Sequence, residues 1–229
     1  MDNLLLKYME TRFQEPLKTK DAKQYPFITI SREFGCPSKL IASLLTDELN
    51  SRREKNEGPK WQYINKEVVA EAAKELDLEP DKIQHLFHAD QIGILDDILA
   101  SFSQNYKSTH QIKKTIRDVI QAFSERGNVI LVGRGGVAIT RGKPNSLHVR
   151  LQGPFDWRVD CICKHEELSK HEAVSLVLDI DKKRAALIEL FLGRKPDPTI
   201  YDLIFNCKTL SKEEIVQTII KVMEVRKLI

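Results

Sequence analysis

The sequence predicts an α/β domain with a mostly parallel sheet and helices on both faces. Three observations carry that class. Five short apolar stretches, at 26–31, 61–64, 128–132, 146–151 and 201–206, have strand character. Helical patterns separate them, and strands joined by helical crossovers make a parallel sheet covered on both sides. No repeat, low-complexity tract or Gly/Ser linker divides the 229 residues, so one domain over 1–229 is the economical reading.

Each element has its own justification. Residues 1–24 carry Leu4, Leu5, Tyr8 and Met9 on one side of an extra helical segment that Pro16 interrupts. This segment is a surface for packing on the domain or on a second subunit. PFITIS is β-branched, apolar and bounded by Pro26. After a Gly-containing turn, Leu40, Ile41, Leu44, Leu45 and Leu49 recur at helical spacing. The polar stretch 51–60 reads as a loop and WQYI as a second strand. Helical patterns follow from Asn65 through Leu76 and at about 80–90, 92–106 and 110–126, the last stopped by Gly127. NVILV is a buried strand running into Gly133-Arg134-Gly135-Gly136, and SLHVRL is the fourth strand. Helices cover about 154–192 with a break near Ser169. Pro196 and Pro198 mark a loop before the strand YDLIFN. Ser211 and Glu214 have capping-box spacing ahead of a helix with Ile215, Ile219, Val222 and Met223 on one face.

Composition narrows the function classes. Charged residues make up 30% and hydrophobic residues 41%, which argues against disorder. No apolar run approaches the roughly 18 residues of a spanning helix, and the Leu4–Leu6 run is too short for a signal-peptide core. A cytoplasmic protein is expected. The formal net charge of +3 is too small a surplus to argue for nucleic acid. Cys36, Cys161, Cys163 and Cys207 read as reduced thiols, since the C-x-C pair lacks a second pair to complete a zinc site. His85 and His88 share a helical face without a third ligand nearby.

In such a sheet, ligands bind beyond the carboxyl ends of the strands. SREFGCPSK at 31–39 turns there from strand to helix. A turn of that kind brings backbone N–H groups and a helix N-terminus to a common point, suited to phosphate. It fails the strict pattern G-x-x-x-x-G-K-[ST], since only Gly35 remains of the glycines and Lys39 follows Ser38.

ITISREFGCPSKLIASLL resembles the opening of the cytidylate kinase-like family, within the P-loop nucleoside monophosphate kinase superfamily. YINKEVVAEAAKELDL, NVILVGRGGVAIT, DKKRAALIELFLG and YDLIFNCKTLS are similar to later family segments, in family order, from about residue 26 to the C-terminus. The resemblance implies a parallel sheet of order 2-3-1-4-5, a monophosphate-binding region and a basic lid at about 154–192. It also implies ATP, Mg²⁺ and a nucleoside monophosphate acceptor, with CMP by family analogy. Arg32, Gly35, Cys36, Ser38 and Lys39 would hold ATP phosphates, and Asn65 and Arg134 the acceptor. Arg158 and Arg184 would close over the transferring group, with Asp181 orienting Arg184 and Lys164 near the start of the lid. Arginine suits this work because its fork donates two hydrogen bonds to a phosphate.

The departures bear on activity. Laid over the superfamily loop, Pro37 stands at a glycine, Ser38 at the phosphate-binding lysine and Leu40 at the magnesium-binding hydroxyl. Proline has no N–H to give, and Ser38 can serve either the phosphates or the helix N-cap. Asn65 stands where the family usually has Asp. Glu33 and Asp202 are the candidate Mg²⁺ carboxylates, with nothing in the sequence to choose between them. Arg150 is either an inward charge at a strand end or an edge residue. The expected activity is nucleotide kinase; the alternative is a catalytically impaired nucleotide- or anion-binding protein on the same fold.

Overall fold

The computed structural model describes residues 24–53, 58–64 and 109–229. The expected N-terminal segment, Asn65 and its helix, the patterns at 80–90 and 92–106, and the pair His85 and His88 lie outside the described residues. Five strands form one parallel sheet: β1 Phe27–Arg32, β2 Gln62–Ile64, β3 Val129–Val132, β4 Ser146–Gln152 and β5 Leu203–Asn206. Their order is β2-β3-β1-β4-β5, the order the resemblance implies. The helices are α1 Ser38–Ser51, α2 Thr109–Arg126, the one-turn α3 Gly136–Ile139, α4 Phe155–Glu166, α5 Lys170–Leu192 and α6 Lys212–Val225.

β1 sits at the centre and is wholly apolar up to Ile30 apart from Thr29, as a strand covered on both faces must be. Ile28 and Ile30 point into one core layer with Ile41, Leu45 and Leu49 of α1 and Ile215, Ile219 and Met223 of α6. On α2, Val119, Ile120 and Phe123 are buried, and this helix meets β3 and α3. The opposite face of β1 carries Thr29, which is buried beside His148 of β4. Ser146 Oγ donates to the Lys143 carbonyl at 2.6 Å, so it accepts from His148 Nε2 at 3.1 Å. His148 Nδ1 is then the acceptor for the Thr29 hydroxyl at 2.8 Å. Both ring nitrogens are thereby satisfied in the neutral form, and burial holds the imidazole below its ordinary pKa.

Helix ends follow sequence signals. Ser169 caps α5 and Ser211 caps α6, each with a reciprocal glutamate three residues on. The expected break near Ser169 is a turn with Glu167 in the left-handed region. At α1 the capping alternative left open for Ser38 is excluded. Pro37 holds the cap position, no side chain caps the helix, and Ser38 is its first residue, buried. Pro37 sets this register because a residue without an N–H is best tolerated just where the helix begins. The stretch 201–206 shortens to Leu203–Asn206, since a 3₁₀ turn at Pro198–Ile200, capped by Asp197, occupies the approach.

The helices α4 and α5 pack on each other around a separate small cluster, Val159, Ile162, Ala173 and Val177, with Phe34 of the β1–α1 loop set against it. A third cluster of Val137, Ile188 and Ile200 ties the far end of α5 to α3.

Candidate active site

The carboxyl ends of β1, β3, β4 and β5 open into a cleft of about 440 Å³, with α5 as its outer wall. Arg32, Arg134, Arg150, Lys183 and Arg184 line it, together with Glu33 and Asp181. The chain brings these cations together from three strand ends and one helix. Ile188, Pro196 and Tyr201 supply an apolar side.

The turn after β3 is built from three successive left-handed residues, Gly133 at φ 75°, Arg134 at 58° and Gly135 at 71°. Arg134 holds this conformation although an L side chain disfavours it, and the residue borders the cleft. Glycine at 133 leaves room for Arg32: an added Cβ would lie 1.9 Å from the Arg32 Nη1. At Gly135 an added Cβ would meet the Phe191 ring at 2.7 Å. Small residues at both places let α5 and Arg32 close in around Arg134.

The turn after β1 is organised differently. Glu33 extends the sheet, its N–H donating to the Leu151 carbonyl at 3.0 Å. Its carboxylate accepts from Arg150 at 3.1 Å and from the Gly153 N–H at 3.2 Å, and lies 3.3 Å from Arg158 Nε. Asp181 reaches in from α5. One oxygen accepts the Phe34 N–H at 2.7 Å and the other accepts from Arg158 at 2.6 Å. Further along the loop, the Cys36 N–H donates to the Glu33 carbonyl at 3.3 Å and the Ser38 N–H to the Cys36 carbonyl at 2.8 Å. The loop therefore spends several of its donors on the protein itself.

Arg158 is the hub beneath this loop. Its side chain is only 7% exposed, and it also donates to the Phe34 carbonyl at 2.9 Å and the Gly153 carbonyl at 3.0 Å. A guanidinium with five donors can satisfy such a set where lysine could not. Asp181 pairs with Arg158, whereas Arg184 lies over the Phe34 ring at 5.3 Å and points toward the Arg32 carbonyl at 3.5 Å. Arg150 rests over Tyr201, 5.4 Å from the ring centre. Burial lowers the Arg150 pKa, but the Tyr201 hydroxyl and Glu33 outweigh it and the net direction is upward.

Of the residues singled out in the sequence, Arg32, Glu33, Arg134, Arg150, Asp181 and Arg184 meet in the cleft, while Arg158 is buried under the loop. Gly35, Cys36, Ser38 and Lys39 do not line the cleft, and Lys39 is exposed. Lys164 is exposed on α4. Cys36 faces Cys207, and its hydrogen bond to that thiol, with burial, pushes the Cys36 thiol far up, so it stays protonated. Asp202 accepts the His148 N–H at 2.7 Å and pairs with Arg226 at 3.2 Å, so it serves the sheet. Among the described residues, no group of three or more His, Cys, Asp or Glu is placed to hold a metal ion, and no helix is long and apolar enough to cross a membrane. Sequence reasoning passed over Tyr201 and Lys183 and left Arg150 open. The available signal for Arg150 was a lone charge between Val149 and Leu151 of a buried strand.

The sheet order and the helices around it are those the family resemblance implies. The chain belongs to the cytidylate kinase-like family, whose model matches residues 27–209. Among solved structures, an uncharacterized protein from Eubacterium ventriosum ATCC 27560 aligns with a TM-score of 0.63 at 21% identity, covering 89% of this chain and 99% of that one. Shikimate kinase from Bacteroides thetaiotaomicron aligns with a TM-score of 0.49 at 13% identity, covering 87% and 98%. Dephospho-CoA kinase from Campylobacter jejuni aligns at 0.38 and 12%, covering 89% and 98%. No curated protein matches the chain.

Proposed function

We propose that the protein is an ATP-dependent kinase for a small phosphate-bearing acceptor, a nucleoside monophosphate, with CMP the first choice by family. The observation that carries this reading is the convergence of Arg32, Arg134 and Arg184 on one cleft at the carboxyl edge of the sheet. In the reaction, an oxygen of the acceptor phosphate bonds to the γ-phosphorus of ATP while its bond to the β-phosphate oxygen breaks, releasing ADP. Charge on the transferring group is then met by the guanidiniums of Arg32 and Arg184, and Arg134 holds the acceptor phosphate. Arg158 acts at one remove, by fixing the loop at Phe34 and Gly153.

Mg²⁺ is expected to enter with the nucleotide and neutralise its phosphates. Among the described residues, the donors do not fit a protein-held Mg²⁺: Leu40 offers no oxygen, and Glu33 and Asp181 are both engaged by guanidinium and N–H groups. The departures in the loop favour a second reading, a catalytically impaired nucleotide- or anion-binding protein. Pro37 lacks an N–H, and the Phe34 N–H is held by Asp181. A cytoplasmic location and a homodimer through the N-terminal segment complete the proposal; sedimentation with and without residues 1–24 tests the dimer.

The deciding experiment is ATP-dependent phosphorylation of a panel of nucleoside monophosphates, with Arg134→Ala alongside. Turnover of one acceptor, at least about a hundredfold weaker in the variant, supports the kinase. ATP binding in calorimetry with no turnover supports the second reading.

A further inference from the structure

Asp181 sits where an incoming anion would be received. Its Oδ1 takes the Phe34 N–H at 2.7 Å, within the β1–α1 turn whose backbone donors suit a phosphate oxygen. Its Oδ2 takes Arg158 at 2.6 Å, so one carboxylate is held by a backbone N–H and a guanidinium together. That pair of donors would serve a phosphate equally well. The carboxylate belongs to α5, not to the loop, and it borders the cleft with Arg184 one helical turn away. The α4–α5 pair has its own apolar cluster, and Phe34 is the loop side chain packed against it. Loop and helix pair therefore meet at Phe34, through its ring, its N–H to Asp181 and its carbonyl to Arg158, and at Glu33, which lies against Arg158.

We infer that Asp181 is a tethered internal anion that competes with ligand phosphate for the Phe34 N–H and the Arg158 guanidinium, so that binding of a polyphosphate displaces the carboxylate while Arg158 keeps α4 on the loop. This rests on the reading of the loop as a phosphate site. Arg158 tolerates the exchange because Glu33 and the Phe34 and Gly153 carbonyls remain as partners when Asp181 leaves. The ligand's apparent affinity is lowered by the fraction of molecules in which the carboxylate holds these donors.

The test is calorimetric titration of the full chain with inorganic pyrophosphate. Asp181→Asn keeps the shape and packing and removes the charge; Asp181→Ala removes the acceptor as well. Both are expected to bind pyrophosphate about tenfold more tightly than the unaltered protein, the size of a charge-assisted hydrogen bond relieved. Asp197→Asn is the control for net charge. Asp197 also borders the cleft, but its carboxylate caps the 3₁₀ turn through Thr199, a role asparagine can fill. Equal gains in Asp197→Asn and Asp181→Asn would mean simple charge removal and overturn the inference. Unchanged or weaker binding in both Asp181 variants, with native circular dichroism, would overturn it too, as would no pyrophosphate binding by any form. Tighter binding in the Asp181 variants alone, in a protein that phosphorylates nothing, would sustain this inference while removing the kinase reading.

Discussion

Two turns leave the same edge of the sheet from neighbouring strands, and they are built on opposite plans. The β1–α1 turn is closed onto the protein: Glu33, Asp181 and Arg158 consume its donors and carbonyls. The β3–α3 turn is shaped for something else, with three left-handed residues placing Arg134 at the cleft. In the first turn, charge is neutralised internally and the arginine is buried. In the second, an arginine is held in the left-handed region between two glycines at the border of the cleft. A basic residue near a strand end thus has two meanings, and only its surroundings tell them apart.

The largest expected effect breaks the closed turn. Arg158→Ala would strand Glu33 and Asp181 and is expected to cost about 4 kcal/mol of stability, read by urea denaturation; a loss below about 1 kcal/mol would refute the hub role. Glycine substitutions sharpen the contrast. At Gly35, φ 92°, an added Cβ would lie 2.9 Å from the Arg158 backbone carbonyl. At Gly133 it would meet only the end of the Arg32 side chain. Gly35→Ala should therefore cost about 3 kcal/mol and Gly133→Ala about 1.5 kcal/mol, and equal losses would erase the distinction. Arg134→Gly, which relieves the left-handed strain, should raise stability by about 1 kcal/mol while anion affinity falls. Lower stability with unchanged affinity would show Arg134 to be structural.

The smallest effect tests the floor that β1 shares with β4. Folding depresses the His148 pKa, so the unfolded chain binds the proton first. The neutral-imidazole stability is fully present above pH 6.5 and is lost as pH falls from there through the folded value. Thr29→Val removes the hydroxyl donor, and its cost should shrink in acid as the ring charges. A cost independent of pH between 7 and 5 would place the titration elsewhere.

The fold was legible because its strands are short apolar runs and its helix ends carry local signals. Ser211 with Glu214, Gly127 and the GRGG turn each act within a few residues. The clustering of Arg32, Arg134 and Arg184 was legible through family resemblance. What escaped was long-range pairing. Asp181 stands three residues before Arg184 on α5, a spacing that invites their pairing, yet it meets Arg158, 23 residues away, because α4 folds back on α5. Glu33 meets Gly153 across 120 residues. Ser38 as a cap was a local reading undone by its neighbour Pro37.

The separate cluster between α4 and α5 has a consequence for how the molecule opens. Val159, Ile162, Ala173 and Val177 belong to a core of their own, while α1, α6 and the central strands share another. Separate cores of this kind, with the third one at the far end of α5, allow local opening below the global transition. Amides around the α4–α5 cluster are expected to exchange as one group apart from those of the sheet, while the far end of α5, held to α3 by Val137, Ile188 and Ile200, follows the α3 end of the molecule.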